Sequence, residues 1–286
     1  MEAKAVVGEE AYWNGRWTKE PITVPANDLS VLRGFGCFDF LTTYQRRPYR
    51  TKEHVARLFH SAELLGLTVP ATQDQVVELV HEGIKRNAHL PELYIKMTVT
   101  GGVAKDGKAL EPGESSFYVT FGPAAPTPAS YYQKGLRLHT AAYERYIPKA
   151  KSLAYMAGVV NYRKAKEAGV DDVVYVDRHG RILEGPTWNF FAVRDGKILV
   201  PHNELVLTGI TAQFVEEAAK RLGYEMVFEE VPASQIESLS EAFATSTTKG
   251  VMPITEIDGK KIGDGAVGPI VTALMKAFDE ETLAPS

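Results

Sequence analysis

Residues 122–130, GPAAPTPAS, pack three prolines among small residues. Proline lacks the N–H that a helix interior or a central strand needs, and it pushes the residue before it towards extended geometry. The stretch therefore resists both helix and strand, and it is the clearest break in a chain of 286 residues. That length suits two domains, each able to bury its own core. The expectation is an N-terminal domain over 1–121, a linker over 122–130 and a C-terminal domain over 131–286.

The first domain opens with AYWNGRW, in which aromatic residues flank Asn14-Gly15, a strong signal for a two-residue hairpin. Thr51 is placed to cap a helix from about Glu53, ended by Gly66, with Val55, Leu58, Phe59, Ala62 and Leu65 at helical spacing. A second helix is expected over 73–87, and strands over 93–100 and 117–121. In the second domain a strand at 136–142 leads past Lys151 to a helix over 155–167. Hairpins are expected across Arg178-His179-Gly180 and across Asp195-Gly196. Helix 211–222, strands 225–230 and 242–246, and a closing helix near 266–280 follow. Strands and helices mix without strict alternation, which argues for α/β domains of the mixed α+β kind and against a doubly wound sheet.

Composition narrows the function classes. Apolar content of 44% and charge of 24% are ordinary for a soluble globular chain. A formal charge of -4 gives no reason to expect nucleic acid or an anionic membrane as partner. MEAKAVVGEE lacks the basic region and long apolar run of a signal peptide, and nothing later reaches membrane-spanning length, so the cytoplasm is expected. Cys37, in RGFGCFDF, is the only cysteine. It has no disulfide partner and no ligand-spaced companion, so it reads as a buried small hydrophobe, and no metal centre is expected.

Chemistry concentrates in the second half. Lys151 follows IPKA in KSL. Its amine is a poor nucleophile while protonated. Desolvation, or a neighbouring cation such as Lys149 or Arg145, would bring its pKa towards the working range. Taken alone, Lys151 reads as one of several solvated lysines. Glu184 precedes Gly185-Pro186 at the end of a hairpin. It is either an exposed turn residue or a carboxylate able to hold a heterocyclic nitrogen protonated. Leu207-Thr208-Gly209-Ile210-Thr211 leads into a helix whose first N–H groups and dipole suit an anion, or simply a cap. Thr245-Ser246-Thr247-Thr248 line up four hydroxyls after an apolar strand, as further phosphate ligands or as a polar edge. A covalent amine, a carboxylate for a ring nitrogen and a phosphate cup are what pyridoxal phosphate asks of a protein.

Two arginines stand apart. Helical geometry puts Arg57 opposite the Val55–Phe59–Ala62 stripe, so periodicity alone makes it a solvated cation. Arg33 lies in the apolar, glycine-rich SVLRGFGCFDFL, where a guanidinium needs a partner or an anionic ligand. A carboxylate-binding role and a structural salt bridge both stand. Arg33-Gly34-Phe35-Gly36 does not complete GxGxxG, so no dinucleotide site is expected.

The ordered set RGFGCFDFLTTY, EHVARL, KSLAY, ILEGPTWNFF, LTGIT and TSTTKGVMPITEIDG resembles the fold-type IV pyridoxal-phosphate enzymes over nearly the whole chain. That family includes branched-chain aminotransferases, D-amino-acid aminotransferases and aminodeoxychorismate lyase. The resemblance implies a homodimer of two-domain subunits with pyridoxal 5'-phosphate between the domains. It implies Lys151 as Schiff-base lysine and general base, and Glu184 as partner of the pyridine nitrogen. Arg57, Ile210, Thr211 and Thr247 match the phosphate positions, Tyr155 the contact to the ring oxygen, and Leu207 a position packed on the ring. Arg33, Phe38, Thr248 and Lys249 fall at the substrate.

Departures bear on that substrate. The asparagine of the family's KSxNY is Ala154 here, and Arg33 stands where branched-chain enzymes usually carry tyrosine. The arginine-rich segment of well-known D-amino-acid enzymes is replaced by TGGVAKDGKAL, and Lys249 replaces a small residue. These cations tilt the expectation towards an unconventional D-amino-acid aminotransferase, with a branched-chain L-amino-acid enzyme as the alternative. A lyase of the aminodeoxychorismate type would need the same Lys151, and a non-enzymatic binder has no use for Lys151 and Glu184 together. The implied reaction is ping-pong transfer of an amino group between an amino acid and a 2-oxo acid, with the Lys151 amine carrying the proton.

Overall fold

The computed structural model describes residues 9–201 and 203–284. The first eight residues of MEAKAVVGEE, on which the expectation about a signal peptide rests, lie outside those described. Contacts group the chain into two units. The first takes the residues up to Ala125 together with Ala150–Ala154, and the second takes Pro126–Lys149 and the chain from Tyr155 onward. Five residues that the linker argument assigns to the second domain, Lys151 among them, thus belong by contact to the first.

In chain order the first unit runs β1 (Ala11–Trp13), β2 (Arg16–Thr18), α1 (Leu29–Arg33), β3 (Gly36–Tyr44), β4 (Arg47–Pro48), α2 (Thr51–Leu64), α3 (Gln73–Arg86), β5 (Leu93–Thr100) and β6 (Phe117–Pro123). The strands form one sheet ordered β2-β1-β6-β5-β3-β4, and their pairings are antiparallel. Asn14 and Gly15 turn β1 into β2 with φ of 41° and 95°, the left-handed pair that the dipeptide favours. Thr51 proves to be the first helical residue of α2, not its cap. Arg50, with φ of 48°, turns the chain out of β4 and occupies the cap position without a side-chain capping bond to the helix. By contrast, α3 opens on a reciprocal capping box between Thr72 and Gln75.

The expected stripe of α2 faces the sheet. Val55, Leu58 and Ala62 are buried with Val76 and Val80 of α3 against Leu41, Ile95, Met97 and Val99, and Phe59 and Leu65 pack at the margin. Each fully buried aliphatic side chain contributes about 1.5–3 kcal/mol. Cys37 sits in this core, fully buried. Burial, with Asp39 adding to it, pushes its thiol up to about 12, so it acts as a hydrophobe.

The second unit runs α4 (Ala129–Lys134), β7 (Leu136–Ala142), α5 (Met156–Glu167), β8 (Asp172–Val176), β9 (Asn189–Arg194), β10 (Lys197–Val200), α6 (Ile210–Leu222), β11 (Met226–Phe228), β12 (Glu241–Ser246), β13 (Gly250–Ile257), β14 (Lys260–Lys261) and α7 (Pro269–Leu283). Its sheet is ordered β11-β10-β9-β12-β13-β7-β8, with β14 beside β13. Parallel pairs (β7 with β8, β13 with β7, β10 with β11) mix with antiparallel ones. This is the mixed α/β class expected. One face buries Leu138, Ala192, Ala244, Met252 and Ile254. Phe214 of α6 meets Phe278 of α7 edge to face, with ring centroids 5.1 Å apart.

Candidate active site

Residues 150–154 extend the sheet of the first unit. Leu153 N–H donates to the Gly36 carbonyl at 2.9 Å and Phe38 N–H donates to the Lys151 carbonyl at 3.0 Å. Cys37 and Ser152 form an antiparallel bridge. The Lys151 N–H donates to Ser61 Oγ at 3.0 Å. The Lys151 side chain is half-buried, with Nζ 5.0 Å from the centroid of the Phe38 ring. Lys96 Nζ lies 4.8 Å from the same centroid, and burial lowers its pKa. Lys96 was not singled out from sequence. The only signal was a cation alternating with apolar residues in LYIKMTVT.

Beneath this edge lies a buried charge cluster. Asp39 Oδ2 accepts from Arg57 Nε at 2.7 Å, and Asp39 Oδ1 accepts from Arg57 Nη2 at 2.9 Å. Asp39 Oδ1 also sits 2.7 Å from His54 Nδ1. Asp39 is fully buried and the Arg57 side chain is 10% exposed. Arg57 is therefore not the solvated cation that helical periodicity suggests, because a buried acid answers it from β3. Burial alone would raise Asp39, but the Arg57 guanidinium and His54 overcome it and hold the carboxyl well below the usual range. Burial lowers His54 in turn. A neutral His54 bonded to Asp39 through Nδ1–H leaves Nε2, which is buried and unpartnered.

The second unit carries the other set. Glu184 is 3% exposed. Its Oε1 accepts from Arg145 Nε at 2.6 Å, and its Oε2 accepts from the Leu207 N–H at 3.2 Å and from Asn189 Nδ2 at 3.3 Å. It is a buried, fully dressed carboxylate and not an exposed turn residue. Burial opposes the Arg145 charge, yet Glu184 and Tyr155 together raise its pKa. Arg145 Cζ stands 5.8 Å from the Tyr155 ring centroid. Arg145 entered the sequence argument as a neighbour of Lys151. It is instead committed to Glu184. Asn189 was not foreseen. Its amide also donates to the Leu207 carbonyl at 2.7 Å, fixing the loop before α6.

That loop fits a phosphate. Gly209 stands at the cap position of α6 and makes no side-chain cap bond. Ile210 and Thr211, which begin the helix, are buried. A Cβ at Gly209 would lie 1.9 Å from Asn189 Oδ1, so the loop needs glycine to pass the amide. Thr245 Oγ1 is buried without a partner, and Thr247 and Thr248 form the turn between β12 and β13. A buried carboxylate, a helix N-terminus that begins on glycine and a buried threonine hydroxyl together suit the ring nitrogen and phosphate of pyridoxal phosphate.

The two cations that set the substrate expectation have partners. Arg33 is exposed at the end of α1, and its guanidinium donates to the carbonyls of Leu32 and Lys108. Its surroundings are thus not the apolar ones that the sequence suggested, because a short helix ends there and turns the side chain to solvent. Lys249 Nζ lies 3.7 Å from Asp172 Oδ2, which also accepts from Trp188 Nε1 at 3.0 Å. Among the described residues no helix is long and apolar enough to cross a membrane, and none group as a metal site.

Residues 36–257 match the family model described as amino-transferase class IV. A Methanocaldococcus jannaschii protein, provisionally named as a branched-chain-amino-acid aminotransferase, is 32% identical over 94% of this chain and 95% of its own. A Pseudomonas aeruginosa branched-chain-amino-acid aminotransferase is 29% identical over 95% of this chain and 90% of its own. The crystal structure of a T.th. branched-chain amino acid aminotransferase with pyridoxamine 5'-phosphate superposes with a TM-score of 0.89 at 28% identity, covering 96% of this chain and 94% of that one.

Proposed function

We propose that this chain, which belongs to the class IV aminotransferases, moves the amino group of branched-chain L-amino acids to a 2-oxo acid. It is a fold-type IV, pyridoxal-phosphate-dependent aminotransferase. When bound, the cofactor supplies an electron sink for the amino acid's α-carbon and a carrier for its amino group. In this reading Lys151 carries the cofactor covalently and moves the proton. Glu184, oriented by Arg145, Asn189 and the Leu207 N–H, faces the pyridine nitrogen. Tyr155 meets the ring oxygen and Leu207 packs on the ring. Arg57, Ile210, Thr211 and Thr247 hold the phosphate, and Phe38 and Thr248 line the donor's place.

The observation that supports the branched-chain reading is the state of Arg33 and Lys249. The tilt towards a D-amino-acid enzyme rested on them as carboxylate ligands. One is exposed and spent on backbone carbonyls, and the other faces Asp172. The relatives that share nearly the full length carry the branched-chain name. The proposed assembly is a homodimer. Met156, Val159 and Val160 stand exposed on α5 at helical spacing, an apolar stripe that a second copy would cover. The cytoplasmic placement rests on the sequence alone. Turnover with L-leucine, L-isoleucine and L-valine as donors tests the reading. Branched 2-oxo acids should accumulate with the parent and not with Lys151→Ala, and failure of all three donors would remove the substrate assignment.

A further inference from the structure

We propose that Ser61 is a positioning residue for Lys151, a role that rests on reading Lys151 as the covalent lysine. Ser61 lies on α2, one turn beyond Arg57, and is fully buried. Its Oγ donates to the Arg57 carbonyl at 2.8 Å and accepts the Lys151 N–H at 3.0 Å. A hydroxyl has one proton and two lone pairs. With the proton committed to Arg57, the lone pairs are the part turned to Lys151, so the bond is directional.

The Lys151 carbonyl is held as well, by Phe38 N–H at 3.0 Å. Both backbone polar groups of Lys151 are thus fixed by the first unit, one from β3 and one from α2. Its flanking segments, up to Lys149 and from Tyr155, belong to the second unit, so within Ala150–Ala154 these bonds set where the Lys151 side chain starts. A serine that bonds back to the carbonyl four residues earlier is common in helices and by itself only bends them. Here the same oxygen also takes the amide of a residue 90 positions away. Alanine at 61 would keep the helix and strip that amide of its acceptor. The side chain that must reach both cofactor and substrate would then be poorly placed, and misplacement of about 1 Å costs on the order of a hundredfold in rate.

The test follows the covalent linkage itself. Cofactor-free protein is mixed with pyridoxal phosphate, linkage to Lys151 is followed by the growth of visible absorbance, and it is confirmed by mass after borohydride reduction. Ser61→Ala should link about 10- to 100-fold more slowly than the parent, and kcat should fall with it. The KM for the amino donor and competition by inorganic phosphate should stay within about twofold of the parent, because neither reads the placement of Lys151. Ser61→Thr, which keeps the hydroxyl, should recover most of the rate. Linkage at the parental rate, with only a lower thermal midpoint, would show that Ser61 braces α2 and would overturn the proposal. If Ser61→Ala does not fold, Ser61→Cys is read the same way, its thiol being a poorer acceptor of similar size. Lys151→Ala run alongside separates the two readings. Turnover by that variant removes the assignment of Lys151, whereas parental behaviour of Ser61→Ala beside a dead Lys151→Ala removes only the role of Ser61.

Discussion

Arg145 Nε donates to Glu184 Oε1 at 2.6 Å, joining two side chains that are 13% and 4% exposed. Taking both charges out of water is costly, and a bond of this geometry offsets the cost only when the remaining polar atoms are also answered. They are. Arg145 Nη2 reaches the Pro186 carbonyl at 2.9 Å, and the Leu207 N–H and the Asn189 amide complete the carboxylate.

Removing one partner should therefore hurt more than the pair helps. Arg145→Met keeps the apolar stem and takes the guanidinium from the buried Glu184 carboxylate, so stability should fall by about 3–5 kcal/mol in urea denaturation. Glu184→Gln should retain some cofactor yet lose most of its rate, because a neutral amide cannot hold the ring nitrogen protonated. Equal rates for this variant and the parent would assign that task to another group.

Asp39 should govern acid stability. Its folded pKa lies below the ordinary 3.8, so its contribution is fully present above that value and is lost as the pH falls from there towards the folded value. His54, also lowered, is present as neutral imidazole above its ordinary 6.5, and its share is lost as the pH falls through its depressed value. Asp39→Asn should cost about 3–5 kcal/mol at neutral pH by removing the buried carboxylate that faces Arg57. It should also flatten the decline below about pH 4 in a thermal-midpoint titration. An unchanged profile would mean that the cluster does not couple to folding.

Cys37 should be inert while the protein is folded. Its thiol is buried and raised to about 12, so thiolate is scarce at neutral pH. A thiol reagent should modify it only in denaturant, and rapid modification of the native protein would show that β3 opens locally.

The apolar face of α5 should report on assembly. Val159→Glu places a charge in the middle of the stripe formed with Met156 and Val160. Sedimentation should show a dimeric parent and a shift towards monomer for the variant. A variant that sediments with the parent would place the contact elsewhere.

Much of the fold is legible in local chemistry. The turns at Asn14-Gly15 and Asp195-Gly196 are set by residues that tolerate positive φ, and strands Leu93–Thr100 and Leu136–Ala142 match their apolar patterns. The strands β3 and β13 were harder. β3 reads GCFDFLTTY, and its charged residue, Asp39, bonds His54 and Arg57 of α2 and is buried from solvent. β13 contains Pro253, which argues against an interior strand. The proline sits opposite Phe243, and pairing with β7 begins only at Ile254, so its missing N–H removes no bond on that side. The sequence singles out Lys151 and Glu184 as candidates, but not the residues that bond to them. Ser61, Asn189 and the Asp39–Arg57 pair act across 18 to 90 residues of separation, beyond the reach of periodicity.

The most direct test of the branched-chain assignment is a half-reaction. Purified protein loaded with pyridoxal phosphate is given one amino acid and no acceptor, and loss of the bound cofactor's visible absorbance is timed. L-leucine, L-isoleucine and L-valine should each discharge it rapidly, while their D-enantiomers leave it unchanged over the same interval. Discharge by the D-enantiomers as fast as or faster than by the L-forms would contradict the assignment and restore a D-amino-acid enzyme.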